Sequence, residues 1–163
     1  MFKKTAGFIA CSLAISASSA WAANDANSLI NITAVIPAKD FYAFPLDSDF
    51  GKNETMTYNL ANGSLGTLRA MYELKNAAGS IKAYIDGGPA KLRNGNSTHD
   101  INLATSFNGV TLTAVPQEVL TTAQAASGTR AELVITPAAP VAAATGTFTA
   151  SFTVIFDNVP TII

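Results

Sequence analysis

INLATSFNGVTLTAV, residues 101–115, is the stretch that decides the fold. Two short runs of strand period, INLATSF (101–107) and VTLTAV (110–115), flank the pair Asn108-Gly109. Both residues of that pair tolerate positive φ, which a two-residue hairpin turn requires. An Asn-Gly pair between alternating runs is therefore the strongest short-range hairpin signal a chain can carry. The same grammar extends in both directions. Upstream, TLRAMYELK (67–75) sets Leu68, Ala70, Tyr72 and Leu74 on one face, and SIKAYID (80–86) follows a turn expected at Ala78-Gly79. Further back, TMTYNL (55–60) puts Met56, Tyr58 and Leu60 on one face, and Asn62-Gly63 turns the chain. FYAFPL (41–46) is extended, with Pro45 confining it to an edge or a strand end.

Downstream, residues 119–126 predict a turn or two of helix, ended by Ser127-Gly128. TRAELVIT (129–136) alternates Ala131, Leu133 and Ile135. A low-complexity loop (137–145) leads into GTFTASFTVIF (146–156), with Phe148, Ala150, Phe152, Val154 and Phe156 on one face. About nine short strands, turn signals every ten or so residues and almost no helix predict one all-β antiparallel domain, a sandwich or a barrel.

The chain has 163 residues, one domain's worth. Its start reads as a secretory signal. Lys3 and Lys4 precede an apolar, small-residue run (7–17), and Ala20-Trp21-Ala22 supplies an A-x-A cleavage site. Residues 1–22 are thus expected to be removed. The only cysteine, Cys11, falls inside that leader; lipidation there is disfavoured, because the apolar run ahead of it is short and Phe8 stands where a small aliphatic residue belongs. Without the leader the chain can form no disulfide, and packing alone must hold it.

Charged residues make up 13% of the chain and the net charge is −1, so nucleic acid and acidic membranes lose their electrostatic reason to bind. A hydrophobic share of 48% with so little charge suits a protein whose surface is covered by something else. No catalytic constellation emerges. His99 is the only histidine, and its neighbour Asp100 points the other way along an extended chain, so base and orienting carboxylate do not face each other. Asp47, Asp49 and Glu54 surround Gly51 but miss the spacing of a calcium loop, in which glycine is sixth and glutamate twelfth. One histidine and one leader cysteine exclude a structural zinc site. The expectation is no enzyme, no metal, no cofactor and no small-molecule substrate.

Between leader and domain lies LINITAVIP (29–37). After a small polar tip it alternates so that Ile30, Ile32, Ala34 and Ile36 share one face, and Pro37 ends the run. An extended segment on a tether can add to the open edge of another subunit's sheet: main-chain bonds supply affinity, and alternate side chains in pockets supply specificity.

NITAVIP (31–37), ELVITPAAP (132–140) and GTFTASFTVIF (146–156) together resemble the major pilins of the colonization-factor-antigen type, assembled by the alternate (class 5) chaperone–usher route of Gram-negative bacteria. The resemblance implies an immunoglobulin-like sandwich lacking its last strand. A periplasmic chaperone would lend that strand, and at an outer-membrane usher the next subunit's N-terminal extension would replace it, building a shaft of identical copies below a tip adhesin. By position, the donor residues would be Ile30, Ile32, Ala34 and Ile36 within an extension spanning 23–37. Phe148, Ala150, Phe152, Val154 and Phe156 would border the acceptor groove of a domain spanning 38–163. The tail 157–163 is longer than this pattern leads one to expect. The rival reading is a secreted or periplasmic β-sandwich that binds carbohydrate, which would place aromatic side chains off the core alternation.

Overall fold

The computed structural model describes residues 40–161. The expected leader (1–22), with Cys11, and the expected arm, with Ile30, Ile32, Ala34 and Ile36, lie outside the described residues. In chain order the strands are β1 (Phe41–Pro45), β2 (Tyr58–Asn59), β3 (Ser64–Leu65), β4 (Leu68–Asn76), β5 (Gly79–Ile85), β6 (Lys91–Leu92), β7 (Ile101–Phe107), β8 (Val110–Thr111), β9 (Gln117–Leu120), β10 (Thr129–Pro137) and β11 (Val154–Pro160). One turn of helix, α1 (Thr122–Ala125), and a 3-10 turn at Ser97–His99 complete the described elements.

The larger sheet runs β1-β4-β10-β7-β6, with β8 hairpinned onto β7, and the smaller runs β11-β5-β9. Every pairing in them is antiparallel. The period-two pattern does what it predicts. Leu74 of β4, Leu103 and Phe107 of β7, and Ala131, Leu133 and Ile135 of β10 are buried on the inner face of the larger sheet. They meet Ile81, Ala83 and Ile85 of β5 and Val119 and Leu120 of β9. The result is an all-β sandwich with a dry core between two unequal sheets.

The Asn-Gly hairpin forms at its predicted place. Asn108 (φ 49°) and Gly109 (φ 79°) both take positive φ, and Phe107 faces Val110 across the turn. Asn108 Nδ2 also donates to the Val119 carbonyl at 2.7 Å, tying the hairpin to β9.

Elsewhere local chemistry overrides periodicity. In 55–60 only Tyr58 and Asn59 form strand, and Leu60 is 90% exposed. The Asn59 side chain accepts from the Ala61 amide (2.9 Å) and the Asn62 side chain from the Ser64 amide (3.2 Å), so asparagine turns consume the segment. The helix expected at 119–126 is confined to α1, whose box of Thr121 and Gln124 starts it. The preceding Gln117–Leu120 pairs with β5 instead. The chain reverses between β4 and β5 at Ala77-Ala78, one residue earlier than expected, and Gly79 opens β5.

The largest departure is the C-terminal strand. Residues 146–153 form no strand and carry only an isolated bridge, Thr149 with Arg93, and regular pairing begins at Val154. It runs on to Pro160, opposite Gly79, so most of the apparent tail is strand. The sequence hides this because Asp157, Asn158 and Pro160 look like loop residues. Asp157 stands opposite Lys82 on the outer face, and Asn158 Oδ1 accepts from the buried Asn76 Nδ2 at 2.8 Å.

Candidate functional site

A sheet as broad as β1-β4-β10-β7-β6 has more inner surface than three strands can cover. Where the smaller sheet stops at β11, the larger one is left under an open cleft of about 1070 Å³. Its floor is apolar, formed by Leu68, Tyr72, Leu103, Leu133 and Ile135. One wall is the segment before β11, which contributes Phe148, Ala150, Phe152 and Val154. The other side is the loop after β1, with Phe50 and Met56.

The wall is held from outside. Asn94 Nδ2 donates to the Thr145 carbonyl at 3.1 Å. Thr149 and Arg93 exchange two backbone bonds of 2.9 Å, and the Asp86 amide donates to the Thr153 carbonyl at 3.0 Å. These bonds fix the segment at Thr145, Thr149 and Thr153, along the cleft's side. Phe156 belongs to the next layer down: its ring centroid lies 4.9 Å from Phe107 and 5.7 Å from Tyr72, closing the core beneath. Phe148, Phe152 and Val154 are half-buried and Ala150 is exposed. Their shortfall in burial is a property of the cleft, since the same side chains in a complete sandwich would be covered.

Two rows of backbone groups flank this region. Among the described residues β11 pairs only with β5, and β1 only with β4, so each presents one free edge of amides and carbonyls. The lining carries Lys52 and Glu54 as its only charged residues, and Glu54 Oε1 is engaged by the Gly51 amide at 3.1 Å. Burial against the floor raises the Tyr72 hydroxyl above the ordinary tyrosine range, because the phenolate would lose its hydration. The cleft is thus a largely apolar slot beside strand edges that are unpaired among the described residues.

Other sequence candidates resolve into turn chemistry. Asp100 pairs with Arg93 at 3.5 Å rather than with His99, which sits in the 3-10 turn. Asp47 caps its own turn through the Asp49 amide (2.9 Å), and Asp49 binds Lys52 (2.7 Å), which lowers its carboxyl below the usual range. Among the described residues no group of three or more such side chains is placed to hold a metal ion. Of the tyrosines, Tyr72 faces the floor and Tyr42 stacks on Phe44 at 5.4 Å along the edge strand. Met56, expected on a strand face with Tyr58 and Leu60, lies instead in the loop after β1 and lines the cleft with Phe50, which no periodic run marks.

A search of curated proteins gives no match. The family model for the CS1 type fimbrial major subunit matches residues 26–157, a span that begins ahead of LINITAVIP and takes in the whole cleft. That match covers most of the chain, which belongs to the CS1-type fimbrial major subunits, structural proteins of fimbriae.

Proposed function

We propose that the cleft receives the N-terminal arm of a neighbouring copy, and that the protein polymerises into a fimbrial shaft by donor-strand exchange. The observation that carries this reading is the apolar cleft that lies beside the free edge of β11. The arm, residues 23–37, supplies the matching pattern: Ile30, Ile32, Ala34 and Ile36 enter side by side, and the alternate residues Asn31 and Thr33 face out. A strand of eight residues reaches roughly 26 Å, enough to run the length of a small sandwich. Burial of three isoleucines and an alanine contributes about 5–10 kcal/mol before ordering costs, and backbone bonds to β11 add to it.

Phe148, Ala150, Phe152 and Val154 form the border that the arm packs against, with Phe156 as the floor under it. Before assembly the same slot needs a substitute strand, which a periplasmic chaperone lends. The exchange takes place at an outer-membrane usher, and a tip adhesin caps the fibre. An N-terminal signal peptide, residues 1–22, delivers the chain to that route.

Deletion of residues 23–36 separates donor from acceptor. The shortened chain is expected to bind chaperone, and to accept an arm from an intact copy, but to donate to none. Heat-resistant polymer longer than a dimer, formed by the deleted chain alone and seen on unboiled denaturing gels, would overturn the assignment.

A further inference from the structure

The hairpin of β2 and β3 has no role in the core, yet it carries the most exposed large apolar side chain among the described residues. Leu60 at its tip is 90% exposed, Tyr58 is 49% exposed, and residues 55–68 contain no charge at all. The hairpin is nonetheless built firmly. The Gly66 amide donates to the Thr57 carbonyl (2.8 Å), the Gly63 amide to the Asn59 carbonyl (2.9 Å), and two asparagine side chains cap its turns. A rigid, uncharged projection tipped with leucine is costly to leave in water.

Strand register says what it faces in a fibre. Gly79 of β5 and Pro160 of β11 lie at one pole with Phe41 and Asn76; Ile85, Val154 and Leu68 lie at the other. The cleft opens at the second pole, and Tyr58 and Leu65 of the hairpin stand at its rim. An arm that pairs antiparallel with β11, as every described strand pairs with its neighbour, travels from the first pole to the second and leaves the acceptor beside the hairpin. Only two residues, Ala38 and Lys39, separate Pro37 from Asp40, and the three peptide steps reach about 10 Å. The acceptor's cleft pole must therefore abut the pole of the donor subunit where β1 begins.

That donor surface is small and largely apolar, with exposed Asp40 at its edge. The Ala77 amide donates to the Asp40 carbonyl and the Thr161 amide to the Ala78 carbonyl, both at 2.8 Å. These bonds gather exposed Ala77, Ala78 and Pro160 directly beside the root of the arm.

We propose that the β2–β3 hairpin is a second contact between successive subunits, with Leu60 of the acceptor seated on the Ala77, Ala78 and Pro160 surface of the donor. The occupant is a second copy of this chain, and the inference rests on the arm-exchange reading. The contact fixes the angle between neighbours, which a single tethered strand does not.

The test uses the full chain carrying paired cysteines, Leu60→Cys with Ala78→Cys and, as a second pair, Leu60→Cys with Ala77→Cys. Polymers are treated with a short bismaleimide and denatured by boiling, and the single-cysteine chains control for Cys11. A covalent ladder of many subunits from either pair, absent from the single variants, is the expected result. Polymer that forms but yields no ladder, or only dimers, overturns the hairpin contact and leaves arm exchange standing. Polymer from a chain lacking residues 23–36 overturns arm exchange, and the pole-to-pole argument with it. Leu60→Asp gives a reading free of cross-linking: a loss of about tenfold in polymer yield, the order set by one leucine's burial, with an unchanged monomer melting temperature. Unchanged yield from that variant, or an effect confined to attachment of intact fibres to another surface, counts against a second copy as the occupant.

Discussion

Thr105 sits among the inward residues of β7, 1% exposed, with a hydroxyl that finds no partner among the described residues. A buried hydroxyl without a hydrogen bond carries the loss of its hydration with nothing in return. Thr105→Val keeps the shape and removes that cost, so the variant is expected to gain about 1 kcal/mol, read as a higher midpoint in urea with an unchanged slope. Tyr72 reports on pH from the floor of the cleft. Its folded value is raised by burial, so the protonated form is the one the fold favours. Its contribution to stability is then intact below the ordinary tyrosine value of about 10 and is lost as pH rises through the raised folded value. Alkaline denaturation curves should show this loss in the parent chain and lack it in Tyr72→Phe. If the arm covers Tyr72, tyrosinate absorbance should appear at higher pH in polymer than in monomer.

Among the elements, β11 shows how the two sheets are joined. It leaves the β6 edge at Thr149, crosses to the smaller sheet and zips along β5 from Ile85 to Gly79. At the last step the backbones come so close that a Cβ on Gly79 would overlap the Val159 carbonyl. Glycine is there for lack of a side chain rather than for an unusual φ. Gly79→Ala is expected to push the end of β11 off β5 and cost about 2–3 kcal/mol, visible as a lower melting temperature together with faster amide exchange in 157–161. The buried amide of Asn76 reinforces the same place, donating to the Ser80 carbonyl at 2.7 Å and to Asn158. By contrast Arg69–Glu132 (2.8 Å) and Arg130–Glu73 (3.9 Å) lie on exposed faces of β4 and β10, where such pairs contribute little.

At the scale of the molecule, the two sheets are unequal and the shortfall is concentrated in one cleft. In the proposed fibre, filling that cleft would join fold completion to assembly, with each arm finishing a neighbour's core. Ile32→Asp tests this coupling. A carboxylate forced onto the apolar floor of the slot loses its hydration, so the variant should assemble at least tenfold less polymer while its own acceptor cleft still takes a parent arm. Mixed assemblies of variant and parent chains, counted by subunit mass, distinguish a damaged donor from a damaged acceptor. Full fibre yield from Ile32→Asp would remove Ile32 from the donor face.

Much of this was legible in the chain alone, wherever local physics sets the answer. Alternation in 67–75, 80–86, 101–107 and 129–136 named the strands and their inner faces, because side-chain period is a property of the extended backbone itself. Asn108-Gly109 named the hairpin, because the φ values that turn needs are a local demand. The sequence by itself thus determined an all-β sandwich without a catalytic cluster among its readable motifs. Only the tertiary structure decided where the last strand begins, that Asp157, Asn158 and Pro160 belong to it, and that Phe50 and Met56 face the floor laid by Leu68 and Ile135. Those facts depend on pairing and coverage between residues far apart in the chain, and no local period records which part of a broad sheet a narrower one will leave uncovered.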